Sequence, residues 1–325
     1  MSHQDQDRAS TWAIIVSVLR AATALVGLCT IAGFLARWWW PLELTSNFRL
    51  QYAWLLGAAA VGWLVLRHPR EAGLAAIGAL VNAAMVAPFY LEEPLAASTT
   101  AEARWYRAVT LNVDVDSHAH ERVLRFIHDA NPDVVLLVEP NSRWISALSS
   151  LADRYPHREV LAADYGFGMA LYSRLPMESV QTVNIGSANR PSIVARLNVQ
   201  GRPLVVIGAH PRAPMDPIQE GLRNSQLREM ARFIAQQQIP VMLLGDLNIT
   251  SWSPFFRDFV REAGLRDSRM GFGVQPSWPA FFRPLSIPID HALVTRGIIV
   301  HDRRLGPPVG SDHLPVIVDF SLEVR

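Results

Sequence analysis

Three long apolar stretches fill the first 91 residues, and short apolar runs separated by turn residues occupy the remainder. The first stretch runs from about Val18 to Trp40. It contains an unbroken apolar or small run, Ala21 to Ala36, and closes on Trp38, Trp39 and Trp40. The second covers Leu50 to Leu66 and the third Ala72 to Leu91, with Pro88 near its end. Each approaches the roughly 20 residues needed to cross a bilayer core. The tryptophans and Tyr90 suit an interfacial aromatic belt. A cleaved signal peptide would not have two further apolar stretches close behind it. Buried helices of a soluble domain would show a polar face at helical spacing, and none recurs here. The pattern therefore predicts an anchor of three transmembrane helices over 1–91, a polar linker over 92–103 and a globular domain over 104–325. The linker reaches at most about 40 Å when extended.

The arginines orient this anchor. Arg8 and Arg20 precede or open the first stretch, and Arg67, His68 and Arg70 fill the second loop; Arg37 and Arg49 lie in the longer first loop. Excess positive charge stays inside, so three crossings carry the domain outside. The expectation is a multi-pass protein of the inner (cell) membrane with a periplasmic or other extracytoplasmic domain.

Beyond residue 104 the pattern changes to runs of four to seven apolar residues. Val134–Val138, Leu204–Ile207, Val241–Leu244, Ala292–Val294 and Val316–Phe320 read as buried strands. Ala119–Ala130 and Gln219–Gln238 carry helical spacing, the latter with Leu222, Leu227, Met230, Phe233 and Ile234 on one face. Strands mixed with helices at this length predict a layered α/β or α+β domain.

Charge and composition narrow the chemistry. All 30 basic residues are Arg, a pattern that codon bias in a GC-rich genome explains. The chain has a net charge of +1, and acidic and basic residues nearly balance beyond Arg104. A domain that grips long nucleic acid without sequence preference carries a clear basic excess, so this balance weighs against a nuclease. The single cysteine, Cys29, lies in the first apolar stretch, which excludes disulfides and thiolate chemistry in the domain.

Polar residues sit at the ends of the apolar runs. Glu139 closes Val-Val-Leu-Leu-Val, and His210 follows Leu-Val-Val-Ile-Gly-Ala. Asp246 and Asn248 follow Val-Met-Leu-Leu-Gly, while Asp312 and His313 precede Leu-Pro-Val-Ile-Val. Strand ends of this kind let loops converge on one site. Carboxylate and amide oxygens suit a hard cation such as Mg²⁺, and nothing resembles a thiolate zinc site. Each segment alone also reads as an ordinary turn; their joint order is what carries weight.

That order, Asn112, Glu139, His210, Gly245-Asp246-Leu247-Asn248, Ile289-Asp290-His291 and Ser311-Asp312-His313, resembles the endonuclease/exonuclease/phosphatase (DNase I-like) superfamily over about residues 104–325. Pro132-Asp133-Val134-Val135 leading to Glu139 is similar to the family's approach to its metal-binding glutamate. The resemblance implies a four-layer α/β sandwich of two β-sheets flanked by helices. It implies that Glu139 binds the metal, with Asn112 and Asp312 beside it. Asp246 would orient or deprotonate the attacking water, and Asn248 would hold a phosphate oxygen. His210 would contact the phosphate or assist the leaving group. His313, oriented by Asp290, would stabilise the transition state or transfer a proton. Val138 and Pro288 depart from the family's usual Gln and basic residue.

Arg190 and Trp278 are candidates for lining the substrate cleft. Asp114, Asp116, His118 and His120 read as the start of a helix in preference to a second metal site. The function expected is a membrane-anchored phosphoesterase that uses Mg²⁺, or Mn²⁺ in its place. Its substrate would be nucleic acid, a lipid headgroup or a small phosphoester, and its only other partner the bilayer. The competing reading is a catalytically inactive binding module or membrane scaffold on the same fold.

Overall fold

The computed structural model describes residues 3–92, 104–186 and 188–323, which fall into two compact units, Met1–Pro88 and Phe89–Arg325. The linker expected at 92–103 lies, beyond Glu92, outside the described residues.

The first unit is helical: α1 (His3–Ala32), α2 (Trp40–Thr45), α3 (Arg49–Val65) and α4 (Pro69–Val86). Thr11–Leu35 and Trp40–Val65, 25 and 26 residues, are long and apolar enough to cross a membrane. α4 is not, and this corrects the expectation of three spans to two. Arg70, Glu71 and Asn82 lie within its 18 residues and offset its leucines and isoleucine. Arg70 and Glu71 precede the apolar stretch that begins at Ala72, yet they open the same helix. Asn82 is fully buried, donating to Thr30 Oγ1 at 2.9 Å and accepting from Arg49 Nη1 at 3.2 Å. Polar side chains thus face inward and join α1, α3 and α4, while Leu25, Leu28, Trp54, Leu64 and Leu80 are exposed.

After the short α5 (Pro88–Leu91), the second unit follows the order β1 (Tyr106–Asn112), α6 (His120–Ala130), β2 (Val134–Val138), α7 (Ser142–Ala147), α8 (Leu151–Arg154), β3 (His157–Leu161), β4 (Met169–Ser173), β5 (Met177–Asn184), β6 (Pro191–Val199), β7 (Arg202–Gly208), α9 (Pro217–Ala235), β8 (Val241–Asp246), α10 (Pro254–Ala263), β9 (Arg266–Asp267), β10 (Asp290–Val294), β11 (Ile298–Leu305) and β12 (Val316–Leu322). The strands form two six-stranded sheets, β11-β12-β1-β2-β4-β3 and β5-β6-β7-β8-β10-β9. Each has one parallel pair, β1 with β2 and β7 with β8, and antiparallel neighbours elsewhere. The parallel pairs need crossovers, and α6 and α9 supply them.

Alternation along the strands builds the layers. Val134, Leu136 and Val138 point into the core shared with Val206, Met242 and Leu244 of the other sheet. Val135 and Leu137 pack outward with Val123, Ile127 and Trp144. Val241 and Leu243 pack outward with Leu227, Met230 and Phe259. The result is helix, sheet, sheet, helix: the four-layer sandwich. Helix starts are fixed locally, as at α9, where the Asp216 carboxylate accepts from Ile218 N and Gln219 N and Pro217 takes the first helical position.

Candidate active site

In both parallel pairs the strands deliver their carboxyl ends to the same end of the sandwich, where α/β sheets hold their ligands. Asn112 ends β1, Glu139 follows β2, His210 lies two residues beyond β7 and Asp246 ends β8. The antiparallel neighbours begin there, so Asp290 opens β10 and Asp312–His313 lead into β12. Asn112 Nδ2 donates to Glu139 Oε1 at 2.9 Å and to Asp246 Oδ2 at 3.2 Å, bridging the two sheets. His210 Nε2 lies 3.1 Å from Glu139 Oε1, and its Nδ1 lies 3.1 Å from Asp246 O. His313 Nδ1 contacts Asp290 Oδ2 at 2.8 Å, and its Nε2 lies 3.8 Å from both Asp246 Oδ2 and Asp312 Oδ1.

The backbone is held in unusual conformations to achieve this. Glu139 has φ +65° and Asn248 φ +51°, left-handed values that non-glycine residues keep mainly at functional positions. Gly245 has φ +141°, and a Cβ there would run into Ala209 O. The close approach of β7 to β8 therefore requires glycine before Asp246. Asp246 Oδ1 accepts from Asn248 N at 2.9 Å, and Asn248 Nδ2 donates to Pro211 O at 3.0 Å. Trp278 Nε1 donates to Asp312 Oδ2 at 2.8 Å.

Burial and charge pull the titrating groups apart. Burial, reinforced by the Asp290 charge, pushes Asp246 up to about 6. Burial opposes the charge on His313, but Asp290 outweighs it and lifts the imidazole to about 10. Burial likewise opposes the Asp290 carboxylate, which the His313 charge nonetheless holds below its ordinary value. At Glu139 burial is outweighed by the His210 hydrogen bond, which holds the carboxyl low; the same bond raises His210 against its own burial. Such divergent neighbours mark functional sites.

Further carboxylates gather around Glu139, whose own charge His210 and His313 stabilise. Asp114, which the sequence suggested only as part of a helix start, is raised by burial and then by the nearby charges of Asp312 and Glu139. These oxygens, with Asn112, fit a hard divalent cation. Asp246, Asp290 and His313 also place one ligand atom each within 4.8 Å of one another, an acidic cluster close enough to hold a metal ion. The rest of the His-rich segment is structural: His118 faces Arg143 and His120 packs on Trp144. His291 bonds Ile249 O at 2.8 Å in the core.

Arg190 is 8% exposed, its guanidinium stacks on Phe167, and its Nε and Nη1 have no hydrogen-bond partner among the described residues. Burial and the neighbouring charge of Arg212 lower it to about 10, while Glu139 opposes that shift. Phe167 and Arg212 carried no sequence signal, because only the folded loops bring them to Arg190. A cavity of about 840 Å³, lined by Pro203, Ile239, Pro240 and Gly297, lies at the opposite end of the strands and gathers none of these groups.

The profile of the Endonuclease/Exonuclease/phosphatase family matches residues 109–313. The chain belongs to that family. No curated protein matches it. Among solved structures, an endonuclease/exonuclease/phosphatase from Beutenbergia cavernae is 22% identical, covering 67% of this chain and 72% of its own, with TM-score 0.56. The endonuclease/exonuclease/phosphatase from Bacteroides vulgatus is 18% identical over 68% of this chain and all (100%) of its own, with TM-score 0.57. D. rerio TDP2 complexed with single strand DNA product is 18% identical over 67% of this chain and 99% of its own, with TM-score 0.55. At these identities the likeness shows the fold.

Proposed function

We propose that the chain is a membrane-anchored, divalent-metal-dependent phosphoesterase. The observation that carries this reading is the buried Asp246–His313–Asp290 array beside the Glu139 carboxylate. Asp246, at about 6, is ionised at neutral pH and basic enough to orient and deprotonate a water. His313, at about 10, stays charged; Asp290 holds its Nδ1, so Nε2–H points toward Asp246 and Asp312. It offers a fixed donor where negative charge grows on a phosphoryl oxygen. His210, whose imidazole the Glu139 hydrogen bond raises, stands on the other side of Asp246. Asn248 retains one amide hydrogen for a phosphate oxygen. Arg190 brings an unpaired cation for an anionic substrate.

Glu139, Asn112 and Asp312, joined by Asp114, would hold Mg²⁺ or Mn²⁺. The protonated His313 is a poor ligand, which favours this oxygen set over the Asp246–Asp290–His313 cluster. The ion's chemistry is to neutralise phosphoryl oxygens and polarise the bond that breaks.

The anchor reading rests on an inverted helical unit. Only 6% of the window in Thr11–Leu35 and 28% of that in Trp40–Val65 is buried, so the apolar surface faces outward, as in lipid, and the polar contacts face inward. Two crossings return the chain to the side of its N-terminus. The extracytoplasmic placement drawn from three crossings loses that support, and reporter fusions at the C-terminus read the side directly.

The test is hydrolysis of bis-nitrophenyl phosphate, plasmid DNA and phospholipid by the purified full chain, with Mg²⁺, Mn²⁺ or chelator and Asp246→Asn as control. Metal-dependent turnover that the control lacks supports the proposal. Equal activity in wild type and control refutes it.

A further inference from the structure

The described residues of 104–323 carry nine exposed large apolar side chains, and seven of them stand on three connections around the proposed site, counting the first turn of α9. The loop from β3 to β4 bears Tyr165, 83% exposed, and Phe167. Its root is fixed at the site: Glu139 N donates to Gly168 O at 2.9 Å, and a Cβ on Gly166 would lie 3.5 Å from Glu139 Oε2. The loop from His210 into α9 bears Met215, 76% exposed, and Ile218. Its Pro211 carbonyl accepts from Asn248 Nδ2 at 3.0 Å. The loop into β10 bears Phe281, 81% exposed, with Phe282 and Leu285. Trp278 Nε1 and Ala280 N tie it to Asp312 at 2.8 and 2.7 Å.

All three loops therefore share a plan, with a polar root on a proposed site residue and an apolar tip in water. A groove for a polyanion would present mainly basic residues at these tips, and here apolar side chains outnumber them. A site for a small soluble ester gains nothing from them, and exposed apolar clusters mark interaction surfaces. Guanidinium groups accompany the apolar tips: Arg283 is exposed beside Phe282, and Arg212 lies near Arg190. Apolar side chains flanked by arginine suit the boundary between acyl chains and anionic headgroups. The same chain supplies two helices long and apolar enough to enter a bilayer.

We infer that the rim of the site docks on a lipid bilayer and that its substrate is a phosphoester carried by a membrane lipid. The substrate class rests on the phosphoesterase reading above; the docking rests on the loop surface alone.

The experiment uses the full chain reconstituted into vesicles of phosphatidylcholine and phosphatidylglycerol. In a Cys29→Ala background, an environment-sensitive label is placed by Phe281→Cys or by Asp129→Cys. Asp129 is exposed at the far end of α6, which runs away from the site. The label at 281 is expected to shift to the blue and to be quenched by iodide about fivefold less than the label at 129. Phe281→Ser/Phe282→Ser and Met215→Ser/Ile218→Ser are expected to lower hydrolysis of bilayer phospholipid by about tenfold or more, leaving bis-nitrophenyl phosphate within about twofold. Equal quenching at 281 and 129 overturns the docking. Serine variants with full activity on bilayers, or with equal loss on both substrates, overturn it as well. A wild-type chain active on the soluble ester and inert on every bilayer phospholipid overturns the substrate class. A chain inert on both, with the label at 281 protected, leaves the docking standing and sinks the phosphoesterase reading.

Discussion

Replacing Asp290 with Asn keeps the side chain's size and removes one charge from the buried pair with His313. In the wild type, Asp290 Oδ2 lies 2.8 Å from His313 Nδ1, and the imidazole sits at about 10 because this carboxylate overcomes burial. Without the charge, burial acts with less opposition, and His313 falls toward or below its usual value of about 6.5. A group raised on folding contributes stability that is fully present below its unfolded value and is lost as pH rises through its folded value. The contribution is therefore full below about 6.5 and gone above about 10. The gap is worth about 5 kcal/mol at 1.36 kcal/mol per pH unit, and breaking one side of a buried pair costs about 3–5 kcal/mol. The nearby Asp246 charge retains part of it, so about 4 kcal/mol is expected. Urea unfolding of the purified chain should show Asp290→Asn about 4 kcal/mol less stable at pH 6, with the difference closing above about pH 10. The rate profile should move with it. The alkaline limb should drop from about 10 to near 6.5. A stability gap that stays constant between these pH limits, or an unmoved alkaline limb, would refute the reasoning.

Asp246→Asn should lower kcat by about 10²–10⁴-fold without lowering the melting temperature, since it removes a carboxylate that burial disfavours. In the wild type, the same carboxyl should make turnover rise with pH through about 6, measured as the acid limb of kcat/KM. Arg190→Met should stabilise the chain by about 1 kcal/mol, because it replaces a buried cation with two unpartnered nitrogens, and should raise KM for anionic substrate by about tenfold. Unfolding and steady-state kinetics on one preparation check both halves. Glu139→Gln should weaken Mg²⁺ binding by about tenfold or more, read by calorimetry independently of turnover.

Legibility followed burial only in part: β4 is buried throughout yet lies outside the apolar runs that read as strands. β2, β8 and β12 are covered on both faces, so they read as continuous apolar runs. β3 and β5 lie at sheet edges with exposed or half-exposed positions throughout, and their polar sequences carried no strand signal. α10 was missed although Ser253, Pro254 and Gly264 mark both its ends. Hydropathy overcounted the spans because the third stretch was taken from Ala72, past the charged first turn of α4. At the site, Glu139, His210, Asp246, Asp312 and His313 are visible because each adjoins an apolar run, while Asn112 and Asp290 come from the family resemblance. Asp114, Arg212 and Phe167 adjoin no such run. Their roles exist only once loops from different strands meet.

The same logic explains why the site is rigid where it must be and apolar where it need not be. Asn112 and Asp246 come from different sheets, and the contact between their side chains spans 3.2 Å. Its length is set by the packing of Val134, Leu136 and Val138 against Val206, Met242 and Leu244, all held within strands. The core therefore fixes the distance between the proposed base and the proposed metal donors, as precise chemistry demands. The loop tips answer to no such constraint. Tyr165, Met215 and Phe281 are exposed and contribute little to the core, so their apolar character reflects what meets the site from outside. A sandwich whose interior fixes geometry and whose rim is apolar suits the proposed reaction at a lipid surface.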